Sequence, residues 1–295
     1  MNTRTLALLA ATTAALIYGL TFTVAKHVMP TYIKPYGFIV LRVSGATMLF
    51  WLSGLFIKKE KIDKSDYGRI FLAATTGVGL NMLFFFKGLA YTTPINASVV
   101  MVTVPIIVLS LSAIILKEHL AKYRIVGIFI GLIGAVFLIA YGNGLQLDNA
   151  RIQWGNFLIF VNATLYGLYL ILVKKLTLKY HPITFAKWLY LIGFFIVFPF
   201  GFEEVKAISW SLMPINIFYK MLFVVVFATF ITYLFNLLAV RKLKPTTVSV
   251  FIYLQPFIAT VFALIMKSDT LNIPKIAASA LIFIGVYLVS KKPKK

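Results

Sequence analysis

Arg42 stands seven residues past Pro35 inside an otherwise apolar run, about 10 Å along a helix at roughly 1.5 Å per residue. In lipid such a charge is costly, and ionisable groups there tend to mark function. One reading is an anion-binding cation, since a guanidinium grips a carboxylate or phosphate through paired hydrogen bonds. The other is an arginine that snorkels to the outer interface or serves a structural partner. Asn81, Asn162 and Asn236 also fall inside apolar runs. Each amide offers two donors and an acceptor, enough to orient a zwitterionic or hydroxylated solute or to bond neighbouring helices. Tyr18, Tyr166 and Tyr169 lie in comparable runs, and Tyr253 with Gln255 precedes Pro256. Rings beside a polar group suit a cavity for a partly apolar metabolite, whereas most aromatic residues of such a chain face lipid, core or the interface belts.

Other chemistries lack their residues. There is no cysteine, which removes thiolate catalysis, disulfides and thiolate metal sites. The acids Glu60, Asp63, Asp66, Glu118, Asp148, Glu203, Glu204 and Asp269, and the three histidines, all fall in connections or at the ends of apolar runs. Proton or sodium coupling through a buried carboxylate is therefore unsupported. No glycine-rich phosphate loop, zinc-ligand spacing or nucleophile motif appears, so neither a cofactor nor a metal is expected. A membrane-embedded enzyme acting on a lipid-linked substrate is the alternative reading, but it would need acids or histidines gathered at one face.

The elements that must position these residues are read from composition. The 295 residues are 61% hydrophobic and 13% charged, against about half and a quarter in soluble domains. The excess of 29 Lys and Arg over 8 Asp and Glu suggests nucleic acid, but the cations sit in short groups between apolar runs rather than on one face or arm. Nucleic acid is excluded as a partner, and the lipid bilayer takes its place. About 20 apolar residues cross a bilayer. Ten segments qualify: 5-25, 36-57, 69-90, 95-116, 123-141, 153-173, 185-202, 217-238, 246-266 and 274-290. Arg4 before the first could signal secretion, but that segment's length and its match to the sixth argue that it stays. Twenty Lys and Arg fall on the face carrying both termini and eight on the other, which predicts cytoplasmic termini.

Sliding the chain on itself by 151 residues places Pro94 on Pro245, Ser98 on Ser249, Pro105 on Pro256, Glu118 on Asp269 and Gly134 on Gly285. Nearer the amino terminus the offset is 148, where Ile17-Tyr18-Gly19-Leu20 matches Leu165-Tyr166-Gly167-Leu168 and Lys26 meets Lys174. Those two lysines end spans one and six, as interface anchors or as gating groups. Five spans per half is an odd number, so the second half must enter the membrane in the opposite sense, with a site near the midplane between the halves. Pro105 and Pro256 remove a backbone donor midway through spans four and nine, as hinges or as static bends. Gly127-x-x-x-Gly131 permits close helix approach, in a homodimer or within the chain.

The chain resembles the drug/metabolite transporter superfamily of the EamA type. The resemblance rests on Leu89-Ala90-Tyr91-Thr92-Thr93, Asn96-Ala97-Ser98, Pro105, Lys117-Glu118-His119-Leu120 and the Gly127, Gly131, Gly134 spacing. The second copy keeps Pro245, Ser249, Pro256, Asp269 and Gly285. The family usually has Gly-Glu at the turn where this chain has Lys117-Glu118 and Ser268-Asp269, which weakens any role for a turn glycine. The resemblance implies an all-α integral membrane protein of ten transmembrane helices in two inverted five-helix repeats, residues 1-144 and 145-295. It implies an exporter or facilitative carrier of small organic metabolites such as amino acids, working by alternating access in the cytoplasmic (inner) membrane, with spans five and ten at the periphery. The residues expected to contact the solute are Arg42, Asn81, Asn162, Tyr166, Tyr169 and Gln255, with Pro105 and Pro256 shaping the moving helices.

Overall fold

The computed structural model describes residues 2–117, 121–140, 150–265 and 273–291, and among them every regular element is helical. Lipid-exposed backbone must satisfy its own polar groups, which selects helices for runs this apolar. Among the described residues six are long and apolar enough to cross a bilayer: α1 (Thr3–Val28), α2 (Pro35–Phe56), α3 (Lys64–Tyr91), α7 (Ala150–Lys179), α8 (Pro182–Lys206) and α9 (Ile215–Lys242). Between and after them come α4 (Pro94–Met101), α5 (Val104–Ile115), α6 (Lys122–Ala140), α10 (Pro245–Ser249), α11 (Leu254–Ile265) and α12 (Ile273–Ser290). Start signals are local. Pro35, Pro94, Pro182 and Pro245 open helices where a missing N–H costs nothing. Asn2 and Thr93 accept from Arg4 N at 3.2 Å and Asn96 N at 3.1 Å as side-chain caps.

Two expected spans are interrupted. Segment 95-116 breaks at Val102 and Thr103, between α4 and α5, and segment 246-266 passes from α10 through a 3-10 turn, Val250–Tyr253, into α11. Pro105 and Pro256 each sit in the first turn of the resuming helix, so the bends expected at the prolines are breaks placed just before them. A second pair of irregularities has no expectation behind it. α3 carries a π turn at Thr75–Gly79 and α9 one at Val226–Ile231, again 151 residues apart.

The helices pack in pairs drawn from the two ends of the chain: α2 along α8, α3 along α7, α1 along α9, and α6 along α12. The glycine face of α6 is used within the chain. A Cβ on Gly127 would lie 2.8 Å from Leu288, one on Gly134 2.7 Å from Leu281, and one on Gly285 2.6 Å from the Gly131 backbone. Partner numbers fall as α6 numbers rise, so α6 and α12 run antiparallel. A homodimer would need a different surface from this one. The turn residues Glu118, His119, Leu120 and Asp269 lie outside the described residues.

The charged connection before α3 is tied to the turn between α7 and α8. Lys179 pairs with Asp63 and, at 2.6 Å, with Asp66, and the Tyr180 hydroxyl donates to Asp66 at 2.8 Å. Glu60 accepts from the His181 amide at 2.8 Å and the Thr184 hydroxyl at 2.7 Å. Partial burial pushes the Glu60 carboxyl up, but these hydrogen bonds and nearby cations outweigh it and leave it below the usual glutamate range.

Candidate functional site

Arg42 of α2, Asn81 of α3, Asn162 and Tyr166 of α7, and Gln255 of α11 line one cavity. The rings of Tyr18, Phe22, Phe85, Phe86 and Tyr233 close around it. Its volume is about 60 Å³. A water needs roughly 10–15 Å³ by this measure, so the space holds a handful of waters or a small organic molecule.

Arg42 is 4% exposed. Its Nε donates to Thr229 Oγ1 at 2.9 Å, and its guanidinium lies over the Phe86 ring, 4.4 Å from the centroid. Among the described residues no carboxylate pairs with it. The side chain does not snorkel: it is buried in the wall of the cavity, where Thr229 is a structural partner and the rest of the guanidinium is placed to meet a solute. Thr229 lies in the π turn of α9 and its hydroxyl donates to Val224 O, five residues back, at 2.7 Å. A hydroxyl has one proton and two lone pairs, so that bond orients an oxygen lone pair toward Arg42.

The other π turn is used the same way. The Tyr233 hydroxyl donates to Gly77 O at 2.5 Å, reaching a carbonyl of the widened turn in α3. Gly77 is required for space as well, because a Cβ there would fall 2.1 Å from the Tyr169 ring. Asn81 and Asn162 form a reciprocal clasp between α3 and α7: each side-chain amide donates to the other residue's carbonyl, at 3.2 and 2.9 Å. That uses one donor of each amide and leaves Asn162 Oδ1, like Gln255 Oε1, buried with no hydrogen-bond partner among the described residues.

Tyr169 is the one expected contact residue that does not line the cavity. It stands behind the wall, its ring 6.0 Å from Tyr166 and 5.9 Å from Tyr233, with no partner for its hydroxyl among the described residues. Asn236 is buried but not part of the wall, and the Tyr253 ring fills the space beside Gly131. Thr229, Tyr233 and Phe86 were not expected. Thr229, Thr232 and Tyr233 do form a polar group inside an apolar run, a signal of the same kind that picked out the asparagines; Phe86 has none.

A cation and two amide oxygens without partners among the described residues, set among aromatic rings, can hold an organic anion that also carries a hydrogen-bond donor. None of the described lining residues is a carboxylate, histidine or thiol.

Comparison with known proteins bears on what such a cavity serves. A family model described as the EamA-like transporter family matches residues 5–140 and again 153–291. An "Uncharacterized transporter" of Archaeoglobus fulgidus is 28% identical over 277 residues, covering 93% of this chain and 95% of its own. The "Uncharacterized transporter YyaM" of Bacillus subtilis is 25% identical over 92% of this chain and 89% of its own. A WAT1-related protein of Arabidopsis thaliana is 24% identical over 79% of this chain and 68% of its own. A solved crystal structure with 15% identity covers 96% of this chain and 94% of its own at a TM-score of 0.77, a likeness of fold.

Proposed function

The chain belongs to the EamA-like transporter family, and from that premise we propose that it carries small organic metabolites, such as amino acids, across the cytoplasmic (inner) membrane by alternating access. It is an integral membrane protein of a transporter family. In this reading α4 with α5 forms one interrupted span and α10 with α11 another, giving ten spans in two repeats, residues 1-144 and 145-295. The twofold family match, one in each half, supports that division. The recurrence of the π turns 151 residues apart, and of a helix break just before each of the matched prolines Pro105 and Pro256, supports it independently. In this reading an odd number of spans per half sets the repeats in opposite senses, and the lysine and arginine excess on one face supports cytoplasmic termini.

The solute occupies the cavity around Arg42, where both halves meet. The guanidinium takes its anionic group, Asn162 and Gln255 accept from its donors, and the rings enclose its apolar part, with Tyr169 backing the wall. Asn81 holds Asn162 in place. Among the described residues no carboxylate lines the cavity to carry a coupling ion, and in this reading the solute's own gradient drives flux, outward when the solute accumulates inside. The observation that carries this reading is a buried cation with no carboxylate partner among the described residues, in a cavity walled by both halves.

The test is flux. Purified protein in liposomes, offered amino acids, organic acids, nucleosides and sugars, should show saturable transport of at least one carboxylate-bearing solute. Arg42→Ala should lower kcat/KM for that solute by about 10- to 100-fold, the loss expected when a charge-assisted hydrogen bond is removed, while membrane insertion is unchanged. Unaltered kinetics would remove Arg42 from the site. Saturable flux of no solute, or chemical turnover of a lipid-linked substrate, would overturn the carrier reading.

A further inference from the structure

We infer that Lys26 and Lys174 are positioning residues of the transport cycle, a symmetric pair of latches that hold the interrupted spans to their own halves. The inference rests on the carrier reading for what the motion accomplishes. Its geometry stands alone.

Lys26, in the last turn of α1, donates to Leu89 O at 2.6 Å, Ala90 O at 3.2 Å and Thr92 O at 2.9 Å. Lys174 of α7 reaches Val240 O at 2.7 Å, Arg241 O at 3.5 Å and Leu243 O at 2.8 Å. The lysines are 148 residues apart, and all three acceptor pairs are 151 apart. An ammonium has three donors, and the last carbonyls of a helix have no partner within it, so each lysine takes two of the last carbonyls of α3 or α9 and that of the residue just after the helix. The charge also complements the negative end of the helix. Their neighbours His27 and Lys175 are exposed, whereas both lysines are half-buried. An interface anchor would point its head into water; these point theirs into backbone.

The capped ends lead straight into the interrupted spans. Thr92 is followed by α4, whose last residue, Met101, lines the cavity; Leu243 is followed by α10, by the 3-10 turn that puts Ile252 in the cavity wall, and then by α11 with Gln255. The latches also differ in kind from the bonds at the site. Arg42 to Thr229, Tyr233 to Gly77 and Asn81 to Asn162 all join one half to the other, and any rocking between halves must strain or break them. Each lysine ties α1 to α3, or α7 to α9, inside a single half. It fixes where an interrupted span starts and lets it move with its half. In the proposed inverted arrangement the two latches lie at opposite faces of the membrane, so what one does for the outward-open state the other does for the inward-open state.

That symmetry gives a readout unrelated to stability. The chain has no cysteine, so Met101→Cys provides a single reporter in the cavity. Its reaction with a membrane-impermeant thiol reagent is compared in right-side-out and inside-out vesicles. Lys26→Met and Lys174→Met should shift the outside-to-inside rate ratio in opposite directions, by about fivefold or more, the lower end of ordinary coupling between states. Lys→Arg at either position should restore the ratio. If a methionine variant fails to insert, Lys→Gln, which keeps two donors, should give a smaller shift of the same sign. Shifts of one sign, or none, with the reporter reachable from both faces, would overturn the latches and leave the carrier reading intact. A reporter that no background exposes to more than one face would overturn both.

Discussion

A guanidinium buried among aromatic rings keeps its charge at a cost that its partners must offset. Arg42 has one hydroxyl, Thr229, and one ring face, Phe86, which use little of a group with five N–H donors. The remaining edge is the part a carboxylate would take in a forked pair. This makes Arg42→Lys a sharper probe than alanine. Lysine preserves the charge but cannot bond Thr229 and two solute oxygens in one plane. It should reduce kcat/KM for the carboxylate solute by about tenfold, and Thr229→Val, which frees the guanidinium to turn, by a smaller factor seen chiefly in KM; initial-rate uptake checks both. Rates at wild-type level in Arg42→Lys would mean the site needs only positive charge. The depth of Arg42 was legible from its distance to Pro35. Its partner was not, because Thr229 lies 187 residues away and the pairing exists only once α2 and α9 are side by side.

At the scale of elements, the apolar runs were legible as helices, while their starts were read only to within a few residues: segments 69-90, 153-173 and 217-238 open at Lys64, Ala150 and Ile215. The interruptions before Pro105 and Pro256 were legible as disturbances, since a missing N–H is a local fact. The π turns were not. One extra residue in a turn leaves no mark in composition, and what stabilises it is tertiary: Thr229 bonding five residues back, and Gly77 yielding its carbonyl to Tyr233 and its side-chain space to Tyr169. A paired substitution tests that account. Gly77→Ala must displace the Tyr169 ring and should lower unfolding stability by about 1–3 kcal/mol, the usual cost of overpacking. Gly68→Ala, in the same helix with open space around it, should be neutral or stabilising by up to about 1 kcal/mol through helix propensity. Thermal unfolding in detergent measures both. Equal shifts would show that the Gly77 contact is not tight. The lysine caps were half legible: the match of Lys26 to Lys174 stands in the sequence, but their acceptors are backbone carbonyls, which no side-chain pattern reports.

For the whole molecule, the decisive geometry is direction. α6 and α12 occupy corresponding places in the two halves, each following an interrupted span, and they meet through glycines in antiparallel register, Gly127 beside Leu288 and Gly134 beside Leu281. α6 has 19 residues, about 28 Å of helix. α3 and α7, which are not counterparts, also run antiparallel, Gly88 beside Gly155 and Asn81 against Asn162. In the proposed arrangement corresponding helices of opposite direction begin on opposite faces, and exchanging their relations between halves would convert an opening at one face into an opening at the other. The prediction belongs to this scale because no single contact carries it. In the cysteine-free chain, Lys122→Cys at the start of α6 should react with an impermeant reagent only from the cytoplasmic side. Ile273→Cys at the start of α12 should react only from the outside. Labelling of both from one face would remove the reversal, and with it the reason for two interrupted spans, two π turns and two lysine caps to recur at matched positions around one cavity.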